Sequence, residues 1–251
     1  MTSTLCRTAL LLLGLSMAAA GRADTTYTWN FATATRNGDT GLASAIYLDN
    51  SGTYSLPVHA YTTHNDGGTR SGNTWTTGTV TDVNYNLYNK YNSGASNPLT
   101  DTETGLGLTV SNNGTAGNND GGQNEIFPNS FIQLAVAALK TANLITPTIM
   151  ISSIQSNEGY YLWGSNSAGV PGTLLNTYIN STGADTNRIA LPSYATYRYF
   201  SVSASSGDVL LQNGFSAVKP SAAATPEPDV VALLLGLSLP AGLLIRRRNR
   251  K

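Results

Sequence analysis

The central residues 24–219 of this chain predict an all-β fold, an antiparallel two-sheet sandwich that is jelly-roll-like, and three observations carry that expectation. Segments in which apolar and polar residues alternate recur along the stretch, as half-buried strands require. Thr, Ser, Asn, Gly (25) and Tyr (13) are abundant, a mixture suited to pleated strands and tight turns. Asp, Glu, Lys and Arg make up 11% of the 251 residues, less than half of the about 25% usual in soluble domains. The abundance of Gly, Thr, Ser and Asn, with Tyr as the main aromatic, argues against a coiled coil, a helical bundle and an acidic disordered chain.

Residues 1–23 read as a secretory signal peptide: a short polar start carrying Arg7, an apolar run from Ala9 to Ala20, then Gly21-Arg22-Ala23 ahead of Asp24. The run is about 12 residues against the roughly 20 of a spanning helix, so cleavage near Ala23 is expected. Cys6, the only cysteine, lies in this segment. The mature chain is therefore expected to hold no disulfide, thiolate metal site or cysteine nucleophile.

The first strand is expected over Thr26 to Phe31, where Tyr27, Trp29 and Phe31 share one face. Similar patterns run over Ser44 to Leu48, Thr53 to Thr62, Thr74 to Val80, Leu106 to Val110 and Phe131 to Val136. They continue over Thr148 to Ile154, Tyr160 to Trp163, Leu174 to Ile179, Tyr197 to Val202 and Val209 to Leu211. Pro57 marks an edge or a bend. Between the strands lie turn signals such as Asn37-Gly38-Asp39, Asn50-Ser51-Gly52, Asn65-Asp66-Gly67-Gly68 and Ser206-Gly207-Asp208. Phe131 to Lys140 also fits a helix, and a strand followed by a short turn is the expectation there. About eleven short strands in a stretch of this length fit one sandwich domain.

The stretch 24–219 contains seven basic and twelve acidic residues, whereas Arg246, Arg247, Arg248, Arg250 and Lys251 crowd the C-terminus. Without a basic field over its bulk, the chain is not expected to bind nucleic acid. Residues 220–229 read as a linker: small residues from Ser221 to Thr225 lead into Pro226-Glu227-Pro228. Residues 230–245 carry no charge and read as a transmembrane helix of about 24 Å, short of the roughly 30 Å hydrocarbon core. Pro240 weakens that helix further. Residues 246–251 form a basic tail that stays cytoplasmic and leaves 24–225 across the membrane.

The order of Pro226, Glu227 and Pro228, a short apolar helix, then Arg246, Arg247 and Arg248 resembles the PEP-CTERM sorting signal of Gram-negative bacteria. The resemblance implies an exosortase-type membrane protease as partner and a C-terminal helix that anchors the chain in the inner membrane only until processing. It also implies a mature protein at the cell surface or outside the cell, with a structural or adhesive role linked to exopolysaccharide and biofilm. A second likeness runs over residues 105–218. Gly105-Leu106-Gly107-Leu108, Asn124-Glu125-Ile126, Phe131-Ile132-Gln133-Leu134, Glu158-Gly159-Tyr160 and Asp208 to Leu211 look like the ectodomain pattern common among PEP-CTERM proteins of unassigned function. That pattern brings no catalytic set.

Candidate chemistry is sparse. His59 and His64, with Asp66, are the only histidine cluster, but their spacing fits neither a helix face nor a strand face, and a solvated loop is expected. Asn118 to Glu125 is a glycine-rich loop with several oxygen donors, in which Asp120 and Glu125 are the candidate calcium ligands. No other cofactor is expected. Glu125 and Glu158 are candidates for the carboxylate pair of a secreted glycan hydrolase, which needs them about 5–9.5 Å apart. Tyr160, Tyr161 and Trp163 are candidates for stacking on sugar rings in a secreted carbohydrate-binding module, against the commoner use of alternating aromatics as core. Gly105-Leu106-Gly107 lacks the further glycine and lysine of a phosphate loop. The expectation is a non-enzymatic exported protein, with the carbohydrate-binding module and the hydrolase as alternatives.

Overall fold

In the computed structural model of the chain, alternation becomes pleat. Trp29 and Phe31 are buried and Tyr27 is half-buried, while Thr26 and Thr28 between them are exposed. The structure describes residues 23–31, 38–40, 42–62, 70–71, 74–75, 85–91, 104–110, 125–128, 130–183, 185–212 and 214–221. Residues Thr25–Lys219 form one compact unit, and Met1–Asp24 and Pro220–Lys251 are grouped apart from it. The signal peptide, the transmembrane helix at 230–245 and the sorting residues Pro226, Glu227, Pro228, Arg246, Arg247 and Arg248 lie outside the described residues. Among the described residues, no helix is long and apolar enough to cross a membrane.

The described chain is all-β. Its strands are β1 (Thr25–Trp29), β2 (Gly38–Asp39), β3 (Ser44–Leu48), β4 (Ser55–Thr62), β5 (Arg70–Ser71), β6 (Thr74–Trp75), β7 (Tyr85–Tyr91), β8 (Thr104–Val110) and β9 (Ser130–Ala135). One helical turn, α1 (Ala137–Thr141), precedes β10 (Ile145–Ser152), β11 (Gly159–Ser165), β12 (Thr173–Ile179), β13 (Thr186–Ala190), β14 (Tyr199–Ser206), β15 (Leu210–Leu211) and β16 (Phe215–Lys219).

Two antiparallel sheets face each other. The six-stranded sheet has the order β12-β11-β14-β9-β4-β3. The larger sheet is curled and runs β1-β16-β10-β15-β8-β7-β2, with β13 on the other flank of β10. The segments β15 and β16 lie in line along β10, so β8 joins at one end and β1 at the other. Inward residues of the six-stranded sheet, Leu56, Val58, Ile132, Leu134, Leu162, Phe200 and Val202, pack against Trp29, Leu106, Leu108, Ile149, Ile151 and Phe215. Each such side chain contributes about 1.5–3 kcal/mol by leaving water.

Several expectations change. Gly38 and Asp39, read as part of a turn, form β2 and pair with Tyr88 and Asn89. The turn expected after β9 is the helical turn α1, whose Leu139 is buried in the core. Pro57 is not on an edge strand, since β4 pairs with both β3 and β9. It is tolerated because the β9 ladder begins one residue later, at Val58 opposite Leu134, so its missing N–H costs no ladder bond. Of the strand expected over Thr74 to Val80, only Thr74 and Trp75 are described.

Turns are held by side chains where the sequence signals them. Asp49 closes the β3–β4 hairpin: its Oδ1 accepts from the Tyr54 N–H (2.6 Å), and its Oδ2 from the N–H (2.9 Å) and hydroxyl (2.5 Å) of Ser51. Burial alone raises the Asp49 carboxyl, but hydrogen bonds from Ser51, Tyr54 and Thr53 outweigh it and hold the group below its ordinary value. Its contribution to stability is therefore present above the ordinary carboxylate range and is lost as pH falls through the lowered value. Asn180 does the same after β12, its buried Oδ1 accepting from the N–H groups of Thr182 and Gly183, both at 3.0 Å.

Candidate functional site

The period of two along β11 decides what its aromatic residues do. Tyr160 points into the core, stacked on Tyr178 with ring centroids 5.4 Å apart. Tyr161 and Trp163 lie on the opposite face, edge to face at 5.7 Å. Trp163 is only 1% exposed and its indole N–H donates to Ser203 Oγ (3.2 Å), while Tyr161 is half-buried. The rings expected to form one sugar-stacking surface are thus divided between two faces, and two of them are buried. The reason is that successive side chains of β11 point to opposite faces of the sheet, Tyr160 onto the core and Trp163 against Ser203 on the other side.

Cover on the outer face of this sheet comes in part from the β11–β12 loop. Gln133, fully buried, donates from Nε2 to Val170 O and Ser201 Oγ (both 3.1 Å) and accepts at Oε1 from the Gly169 N–H (2.9 Å). This clamp lays Gly169 against the ring of Tyr61. Burial, and to a lesser degree Tyr199, raises the Tyr61 phenol above its ordinary value, and burial lowers the His59 imidazole. His59 lies on β4 beside Tyr61, with ring centroids 6.1 Å apart, and not in a loop. His64 and Asp66 lie outside the described residues.

Inside the core, burial first and Tyr178 second push the Tyr160 hydroxyl well above its ordinary value. That hydroxyl has no hydrogen-bond partner among the described residues. Tyr160→Phe is accordingly expected to leave stability unchanged or raise it by up to about 1 kcal/mol, read from the chemical denaturation midpoint. A loss of more than about 1 kcal/mol would mean that the hydroxyl is bonded after all.

The carboxylates are engaged in structure. Glu125 is fully buried and its Oε1 accepts from the ammonium of Lys90 on β7. Lys90 thus supplies the positive charge that a calcium ion would bring to this residue. Asp120 lies outside the described residues. Among the described residues there is no group of three or more His, Cys, Asp and Glu side chains. Glu158 holds the turn before β11, its Oε2 accepting from the Gln155 N–H at 2.8 Å. Glu125 faces Lys90, and Glu158 faces its own turn.

A concavity of about 320 Å³ opens on the outer face of the larger sheet, where β1, β16, β10 and β13 lie side by side. The register places Thr28 opposite Ser216, Ser216 opposite Thr148, and Arg188 opposite Met150. Arg188 reaches across β10: its Nη1 donates to Gly214 O (3.1 Å) and Thr148 Oγ1 (3.3 Å), and its Nη2 lies 3.7 Å from Met150 Sδ. Thr148 and Ser216 share a hydroxyl hydrogen bond of 2.8 Å. Gly214, at φ +149°, leaves room for the guanidinium, because a Cβ there would stand 3.0 Å from Nη2.

Sequence reasoning missed this site. Its members come from four strands, and Thr148 and Gly214 lie 40 and 26 residues from Arg188. The one available signal was an isolated arginine in the otherwise uncharged segment from Thr186 to Ala190. Comparison of the chain with family models, with curated proteins and with solved structures returns no match.

Proposed function

We propose that this chain is an exported surface or extracellular-matrix protein, sorted by an exosortase through a C-terminal PEP-CTERM signal. Its role is structural or adhesive, alongside exopolysaccharide, and not catalytic. The observation that carries the reading is the order of segments: a signal peptide at 1–23, the body at 24–219, Pro226-Glu227-Pro228, an uncharged helix at 230–245, and Arg246-Arg247-Arg248. Before processing, the helix holds the chain in the inner membrane. The body is a jelly-roll-like sandwich.

The body suits a domain carried by its C-terminal segment. Its last strand, β16, is bonded to β1 on one flank and to β10 on the other, with Thr25 opposite Lys219. Lys219 donates to the Tyr54 hydroxyl (2.8 Å) and lies 5.3 Å from the centre of that ring. Tension arriving through the linker after Lys219 therefore meets a strand gripped along both edges.

Intact mass of the protein from its host, with and without the exosortase gene, tests the reading. The expected result is loss of the first 23 or so residues together with everything beyond the Pro226-Glu227-Pro228 region, the second loss occurring only when exosortase is present. A mass that retains Val230 to Lys251 in both strains would overturn it.

A further inference from the structure

We infer that the concavity around Arg188 binds a carboxylate-bearing sugar, one residue of an acidic polysaccharide. Arg188 has no carboxylate partner among the described residues. Its guanidinium is held by neutral groups only, the Gly214 carbonyl, the Thr148 hydroxyl and the Met150 sulfur. A guanidinium has five N–H donors. With Nη1 donating to Gly214 and Thr148 and one Nη2 proton directed at Met150 Sδ, Nε–H and the second Nη2 proton form the edge that remains to receive a carboxylate.

What surrounds that edge selects the rest of the ligand. Thr26, Thr28, Asn30 and Ser216 line the concavity with hydroxyl and amide groups, and among the described residues no acidic side chain lines it. Hydroxyl and amide side chains both donate and accept, which matches the hydroxyls of a sugar ring. One fixed positive charge matches one carboxylate, whereas phosphorylated ligands are held by clusters of arginines. About 320 Å³ lies at the small end of ligand sites, enough for one or two sugar residues of a longer chain.

The inference sharpens the adhesive reading of the function, and the two fail separately, since sorting is read from mass and this site from binding. The test is calorimetric titration of the full chain, purified as its host exports it, with oligogalacturonate, with maltotetraose of matched length, and with sodium sulfate. Binding of the uronate alone is expected. Arg188→Gln should weaken it by about tenfold or more, and Arg188→Lys, which keeps the charge but loses the fork, should weaken it by about fivefold. Thr28→Val leaves the exposed face of β1 intact in shape and should cost about threefold by removing one hydroxyl. Three results would overturn the site: equal binding of maltotetraose, sulfate bound as tightly as the uronate, or uronate binding that is absent or survives Arg188→Gln unchanged.

Discussion

Replacing Lys90 by Met is expected to destabilise the protein by about 3–5 kcal/mol, because it leaves a buried carboxylate without its cation. Glu125 is fully buried, and Lys90 is 18% exposed. Lys90 reaches Glu125 from β7, a strand held to β8 along its whole length from Tyr85 to Tyr91. Beside Glu125, Ile126 bridges Val209 through two backbone hydrogen bonds of 2.8 and 3.0 Å, which fix the main chain from which the carboxylate extends. Removing both charges is different. Lys90→Met with Glu125→Met together should recover most of the loss, since an apolar pair of similar volume is often as stable as the ion pair it replaces. Urea denaturation of the three variants checks this. If Lys90→Met alone costs less than about 1 kcal/mol, Glu125 is reached by water and the pair contributes little.

A methyl group at Gly159 is expected to cost about 3 kcal/mol or more, because it collides with backbone and not with the end of a flexible side chain. A Cβ there would fall on the carbonyl oxygen of Tyr178 and lie 2.7 Å from Ser205 Oγ and 2.9 Å from Ile179 Cδ1. Gly159 begins β11 and pairs with Ile179 of β12 on one side and Ser206 of β14 on the other. β12 is the edge strand and pairs only with β11, so it can move off the new methyl group only by giving up bonds of that ladder. Gly52, in the β3–β4 turn, is the control. It sits at φ +73° with nothing within 4 Å of its would-be Cβ, so Gly52→Ala costs only the strain of the left-handed conformation, about 1–2 kcal/mol. Equal losses in the two variants, measured by thermal or urea unfolding, would show that β11 and β12 can slide apart.

The strands legible in the sequence are those in which one face is apolar and the other is not. Tyr27, Trp29 and Phe31 announced β1, and Ser44 to Leu48 was read to the residue. β7 was missed because Asn86 and Asn89 are buried where the pattern calls for apolar residues. β13 was missed because Ile189 is its only large apolar residue, and β16 because Phe215 and Ala217 make too short an alternation beside a lysine. All three lie in the larger sheet, whose strands are recruited by partners distant in sequence and not by their own periodicity.

The candidate sites divide in the same way. Alternation identified Tyr160, Tyr161 and Trp163 as strand residues, yet which ring meets solvent depends on what packs over each face of the sheet. Glu125 was recognised as a carboxylate in a loop, but only the fold brings Lys90 to it across 35 residues. By itself, then, the sequence determined the all-β class, the low charge and the turns at Asn50 to Gly52 and Ser206 to Asp208, because these follow from local periodicity and from the conformational range of Gly and Asn. The tertiary structure alone decided which aromatics are core, where Glu125 finds its cation and where Arg188 stands over a hydroxyl-lined concavity. Burial, ion pairing and concavity are properties of side chains meeting across strands, and no local pattern records which strands those will be.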